Sequence, residues 1–75
     1  MEATDAAVVR RVLAGDVEAF AVLVERHHQR CLRLAMRLVG SAQDAEEVVQ
    51  DAFVRAYRAL GRYEEREQFS AWLTR

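Results

Sequence analysis

The run DAEEVVQDAFVRAYRAL, residues 44–60, decides the fold. Its apolar positions are Ala45, Val48, Val49, Ala52, Phe53, Ala56, Tyr57 and Leu60, which recur at the three-and-four spacing of an amphipathic helix. The opposite face carries Glu46, Glu47, Gln50, Asp51, Arg55 and Arg58. A helix dipole accommodates acid in the first turn, so Glu46 and Glu47 fit an ordinary solvated face. Asp51 fits less well. It lies two turns in and stands four residues from Glu47, a like-charge spacing that costs on the order of 0.2–0.5 kcal/mol in an isolated helix. Arg55, four residues further on, returns part of that. An acidic strip bearing Gln50 on an otherwise regular helix reads as a surface for a basic partner, set against the plainer reading of a solvated charge run.

Working outward, Ser41 and Asp44 form an S-x-x-D capping signal into this helix. Gly40 precedes it, and Gly15 and Gly61 mark two further places where an apolar period stops, the position expected just past a helix end. The three glycines divide the chain into four segments. The first, from Thr4 or Asp5 to Ala14, carries Val8, Val9, Val12 and Leu13 and predicts a short helix. The second, from an N-cap at Asp16 to Val39, predicts the long scaffold helix. Its seam is Val17, Phe20, Val24, His27, Cys31, Leu34 and Leu38, flanked by Leu23 and Ala35, with Arg26, Arg30, Arg33 and Arg37 outside it. The short connection at Gly40 makes the second and third helices antiparallel neighbours. After Gly61 comes the polar loop RYEEREQ, residues 62–68, and then FSAWLTR opens a fourth helical pattern with Phe69, Trp72 and Leu73 on one side. That pattern ends after less than two turns, in the middle of its apolar period, which reads as a cut rather than a natural terminus and predicts that residues 1–75 are a fragment of a longer protein.

Composition bounds the rest. The 75 residues are 52% apolar and 31% charged, which is globular rather than disordered, and a chain this short makes one small domain. Proline is absent and no run suggests strands, so the fold class expected is all-α: three main helices and a truncated fourth. The longest apolar run, residues 20–24, is far short of a membrane span. No basic segment with an apolar core opens the chain, so neither a signal peptide nor a membrane partner is expected. The single cysteine suits a reducing cytoplasm. A net charge of −1 excludes a simple polybasic nucleic-acid binder. All 11 basic side chains are arginine, which we read as compositional bias.

His27 and Cys31 share a helix face at a spacing that can bind zinc, but two ligands in an apolar seam read as a core histidine and a buried thiol. No nucleophile–base constellation and no phosphate loop exist, so neither enzyme activity nor a cofactor or metal is expected. Tyr63, Phe69 and Trp72 are interleaved with Arg62, Arg66 and Arg75. Aromatic faces beside arginine planes suit a splayed single-stranded base, each stacked base contributing about 1–3 kcal/mol. Against that, Phe69 and Trp72 read equally well as core residues. Tyr63 and Arg66 are the ones expected at the surface.

These motifs, in this order, resemble region 2 of bacterial RNA polymerase sigma factors of the extracytoplasmic-function group. The resemblance rests on 44–60 followed by F-x-x-W-L at 69–73, on V-x-x-V-L-A-G-D-x-E-A-F-x-x-L-V-x-R upstream, and on R-L-A-M-R-L-V-G at 33–40. It runs from Val8 to Arg75. It implies that the third helix docks on the beta-prime clamp coiled coil of the polymerase core through Glu47, Gln50, Asp51 and Tyr57. It also implies that the 62–68 loop captures a flipped base of the single-stranded non-template strand at the promoter minus-ten element, with Arg62, Tyr63, Arg66, Gln68, Phe69 and Trp72 as the DNA-binding set. An anti-sigma factor is a further implied partner. The loop departs from many relatives, reading YEERE where they have a glycine and a small polar residue, and those acids oppose phosphate attraction. The sequence also stops at Arg75, before the rest of the helix that completes minus-ten recognition and without the family's second DNA-binding domain, region 4, so these residues alone are expected to bind DNA poorly. A competing reading from another class is a small helical interaction module that lays the third helix in a partner's groove.

Overall fold

The computed structural model describes residues 3–74. Four helices follow one another: α1 (Asp5–Leu13), α2 (Phe20–Val39), α3 (Ala42–Arg58) and α4 (Phe69–Leu73), with 3-10 turns at Val17–Ala19 and Leu60–Arg62. No strand occurs among the described residues. The all-α expectation holds, as does the place of every helix.

Local chemistry sets the boundaries. Thr4 Oγ1 accepts from the Ala7 amide at 3.1 Å and opens α1. The helix closes on Gly15 at φ +114°, with the amides of Gly15 and Asp16 donating to the carbonyls of Val12 and Arg11. That paired return is the Schellman arrangement, which satisfies carbonyls the helix itself leaves open. α2 ends more simply at Gly40, whose amide donates to the Met36 carbonyl at 3.0 Å and whose φ of +71° is the left-handed conformation that glycine tolerates best. Ser41 then caps α3 through the Asp44 amide. Two expected caps differ. Asp16 makes no capping bond, because its carboxylate is taken at 2.7 Å by Arg11, so the second segment opens as a 3-10 turn and α2 proper begins at Phe20. Gly61 lies inside a 3-10 turn rather than past a left-handed helix end.

α2 and α3 are the antiparallel pair that forms the body of the molecule. Phe20 meets Tyr57 at one end and His28 meets Glu46 further along, contacts that only an antiparallel register allows. Between them and α1 sits one core: Val8, Val9 and Val12 from α1, Leu23, Cys31 and Ala35 from α2, Ala45, Val49, Phe53 and Ala56 from α3. Leu60, Phe69 and Leu73 close it. The seam expected in α2 is displaced by about one residue. Leu23 and Ala35, expected as flanks, are core, whereas Val17, Leu34 and Leu38 are exposed. The cause is that α2 is covered from two sides, by α3 and by α1 with α4, so burial centres between those contacts rather than on a single two-helix seam. Leu13, Val48 and Tyr57, at the edges of their stripes, are exposed as well.

Candidate functional site

Two surfaces carry the residues singled out above. The first is α3. Glu47 and Gln50 stand on the rim of a groove of about 770 Å³ between α2 and α3. Its floor is apolar: Phe20 and Val24 from α2, Phe53, Val54 and Tyr57 from α3. Tyr57 is held edge-on against Phe20, with centroids 5.2 Å apart and planes at 75°, and Phe20 packs edge-on against Phe53 at 6.4 Å. The rim acid Glu46 faces His28 at 3.2 Å. Asp51 is set apart from the groove. It stands on the outer ridge of α3, a turn beyond Glu47, and pairs with Arg55 at 3.1 Å in the i,i+4 spacing read from the sequence. Glu47, Gln50 and Tyr57 are therefore brought together around one concave surface, with Asp51 beside it.

Phe20, Val24 and His28 line that surface without having been singled out as site residues. Their apolar spacing assigns Phe20 and Val24 to a buried seam, whereas in the structure they are half-buried and line the groove. Val54 was a legible signal, being apolar yet off the buried stripe of α3; it is exposed and lines the groove.

The second surface is the 62–68 loop with α4. Glu67 donates its amide to the Glu64 carbonyl at 2.9 Å, making the turn at the loop's tip. Tyr63 is half-buried rather than free, which corrects the expectation of exposure. Its hydroxyl donates to the Glu67 carbonyl at 2.7 Å, and its ring meets Phe69 and Trp72 edge-on at 5.5 and 5.4 Å. Burial, followed by the charges of Asp5, Glu67 and Glu65, pushes its phenol above the ordinary tyrosine range. Arg66 is exposed as expected, and donates from Nε and Nη2 to the Glu64 carboxylate at 3.1 and 2.9 Å. Glu65 is held by Arg10 of α1, a pairing that raises the guanidinium's pKa through the hydrogen bond and the carboxylate's charge. Two of the loop's acids are thus neutralised locally, which blunts the phosphate repulsion expected of YEERE.

Phe69, named with the DNA-binding set, is 2% exposed and cannot offer a face to a base without repacking. It is the core residue behind the loop. Trp72 is half-buried and keeps an open edge, beside a shallow depression of about 190 Å³ lined by Ala52, Arg55, Ala56, Ala59 and Leu73. Arg62 and Gln68 are exposed at the two ends of the loop. Arg75 lies outside the described residues.

His27 is a satisfied histidine. Its Nε2 donates to Asp5 at 3.0 Å and its ring lies 5.2 Å from Phe69. Burial pushes the Cys31 thiol up, partly offset by Arg30. Among the described residues no group of three or more His, Cys, Asp or Glu side chains is arranged to hold a metal ion, and no helix is long and apolar enough to cross a membrane.

Comparison with known proteins identifies the family. The family model for sigma-70 region 2 matches residues 23–75. RNA polymerase sigma-H factor of Pseudomonas aeruginosa is 44% identical over 71 residues, covering 95% of this chain and 37% of that protein. ECF RNA polymerase sigma-E factor of Escherichia coli K12 is 43% identical over 72 residues, covering 96% and 37% respectively. The chain therefore spans little more than a third of the length of these relatives. Among solved structures, an engineered region 2 of sigmaE in complex with GTAAAA superposes with a TM-score of 0.86 at 43% identity, covering 97% of this chain and 78% of that one. The acidic helix, the aromatic loop and these matches together place the chain in the sigma-70 region 2 family, as a region 2 domain of the extracytoplasmic-function type.

Proposed function

We propose that these 75 residues act as one region 2 domain of a transcription initiation factor, docking on RNA polymerase in the cytoplasm and helping to open the promoter minus-ten element. α3 is the dock. Its ridge, Glu47 and Asp51, meets basic side chains of the beta-prime clamp coiled coil, while Gln50 and Tyr57 border the groove that takes an apolar one. The 62–68 loop takes a flipped base of the non-template strand: Tyr63 and the open edge of Trp72 offer aromatic surface, Arg62 and Arg66 meet phosphates, and Gln68 offers an amide to a base edge. Phe69 contributes from behind, as the support on which Tyr63 and Trp72 rest. Unstacking a base costs a few kcal/mol, which such contacts must repay. The domain performs no catalytic step of its own. The resemblance also implies an anti-sigma factor, for which the same α3 surface is the natural place of masking.

The observation that carries this reading is the likeness, over nearly the whole chain, to a region 2 solved with GTAAAA. The test has two arms. Titrated against the isolated clamp coiled coil, the chain is expected to bind, to weaken as salt rises, and to lose binding in a Glu47→Arg, Asp51→Arg double variant that stays helical by circular dichroism. Binding retained by that variant overturns the dock. Single-stranded GTAAAA is expected to bind more tightly than a scrambled hexamer, and equal affinities overturn base capture. The apolar groove also supports the competing interaction module, which a folded chain failing both arms would favour.

A further inference from the structure

We propose that α1 is a clasp on the 62–68 loop, with Asp5 and Arg10 as positioning residues that hold the loop's shape from a helix to which the proposed function gives no contact of its own. The consequence for DNA rests on that proposed function; the clasp itself does not.

The loop is held partly from within, by the Glu67-to-Glu64 turn, the Tyr63 hydroxyl on the Glu67 carbonyl and the Arg66–Glu64 pair among others, and its start is tied by the Tyr63 amide to the Leu60 carbonyl. α1 supplies two links from outside. At the tip, Arg10 pairs with Glu65, 55 residues away in sequence. At the base, the Asp5 carboxylate divides its oxygens: Oδ1 accepts from Arg26 Nη1 at 3.1 Å and Oδ2 from His27 Nε2 at 3.0 Å. The His27 ring then bears on Phe69, and Phe69 carries both Tyr63 and Trp72. The Asp5 and His27 side chains are only 27% and 14% exposed, so this link is shielded in a way the tip link is not. The two anchor residues are five positions apart on α1, about 7.5 Å of helical rise, so one short rigid element carries the direct link through Arg10 and the relayed link through Asp5, His27 and Phe69. A loop held in its bound shape before binding loses less entropy on binding.

Amide hydrogen exchange across residues 63–68 of the full chain tests the clasp. Arg10→Glu and Glu65→Arg are each expected to speed loop exchange by about two- to fivefold while α2 and α3 keep their protection, and the double swap, with wild-type net charge, restores it. Loop exchange untouched by either reversal, or a swap that fails to restore it, overturns the clasp. The DNA consequence is read with Asp5→Asn and the GTAAAA hexamer. Removing a negative charge by itself favours a phosphate-bearing strand, so weaker hexamer binding alongside a loosened loop marks positioning; a loosened loop with equal or tighter binding overturns the positioning role. A wild-type chain that binds no hexamer, yet shows the exchange pattern with its rescue, removes the base-capture reading and leaves the clasp standing.

Discussion

The Tyr63 hydroxyl donates to the Glu67 carbonyl while its ring rests on Phe69 and Trp72, so this residue sits both in the loop's framework and at its surface. Tyr63→Phe keeps the ring contacts and removes the donor. We expect it to destabilise the fold by about 0.5–1.5 kcal/mol, measured by urea denaturation at neutral pH. The same residue gives a pH dependence of definite sign. Its phenol is raised in the folded state, by burial first and by neighbouring carboxylates second, so folding favours the neutral form. The stability this contributes is complete below the unfolded tyrosine value, about pH 10, and is lost as pH rises through the higher folded one. Thermal melts between pH 8 and 11 should therefore show the wild-type advantage over Tyr63→Phe shrinking at the alkaline end. Sequence alone identified Tyr63 as the loop's aromatic but not its tether, because the partner is a backbone carbonyl, and any residue has one. The Asp51–Arg55 pair was legible, being a local i,i+4 contact. Asp5–His27 and Arg10–Glu65 were not, since they link residues 22 and 55 positions apart.

At the scale of the element, α2 shows where periodicity stops informing. A spacing of three and four reports that a helix has an apolar side, and the existence and place of α1, α2 and α3 followed from it. It does not report how many neighbours share that side. Leu23 was expected as a flank and is fully buried, while Leu38 was expected in the seam and is 83% exposed. Two substitutions measure the difference. Leu23→Ala should cost about 2–5 kcal/mol by chemical denaturation, a large part of what a domain this size possesses. Leu38→Ala should stay within about 0.5 kcal/mol of wild type. Equal costs would return Leu38 to the core seam. The same limit explains the groove. Phe20 and Val24 belong to the apolar side of α2 by pattern, yet they line an open surface between α2 and α3, which spacing along one helix does not report.

For the molecule as a whole, the two surfaces open on different sides but border the same helices, since Arg55 of α3 pairs with Asp51 and also lines the depression beside Trp72. The groove is lined by α2 and α3 alone, and none of its residues belongs to α1, α4 or the loop. The loop is braced by α1, α4 and His27. α2 passes between them, offering Phe20, Val24 and His28 to one side and His27 to the other. Arg55 is shared by both, and it is exposed, so coupling through it is weak and the energies should stay nearly additive, within about 0.3–0.5 kcal/mol, or roughly a factor of two in affinity. Under the proposed function, polymerase docking and strand capture should therefore be separable in this domain. Glu47→Gln with Asp51→Asn should weaken binding to the clamp coiled coil and leave GTAAAA affinity within about twofold, while Arg62→Gln with Arg66→Gln should do the reverse. Both pairs change net charge, so the comparison belongs at about 0.15 M salt, where the screening length is about 8 Å and distant charges contribute little. If each pair instead weakens both ligands together, α2 transmits strain from one face to the other, and the domain couples holding the polymerase to opening the DNA.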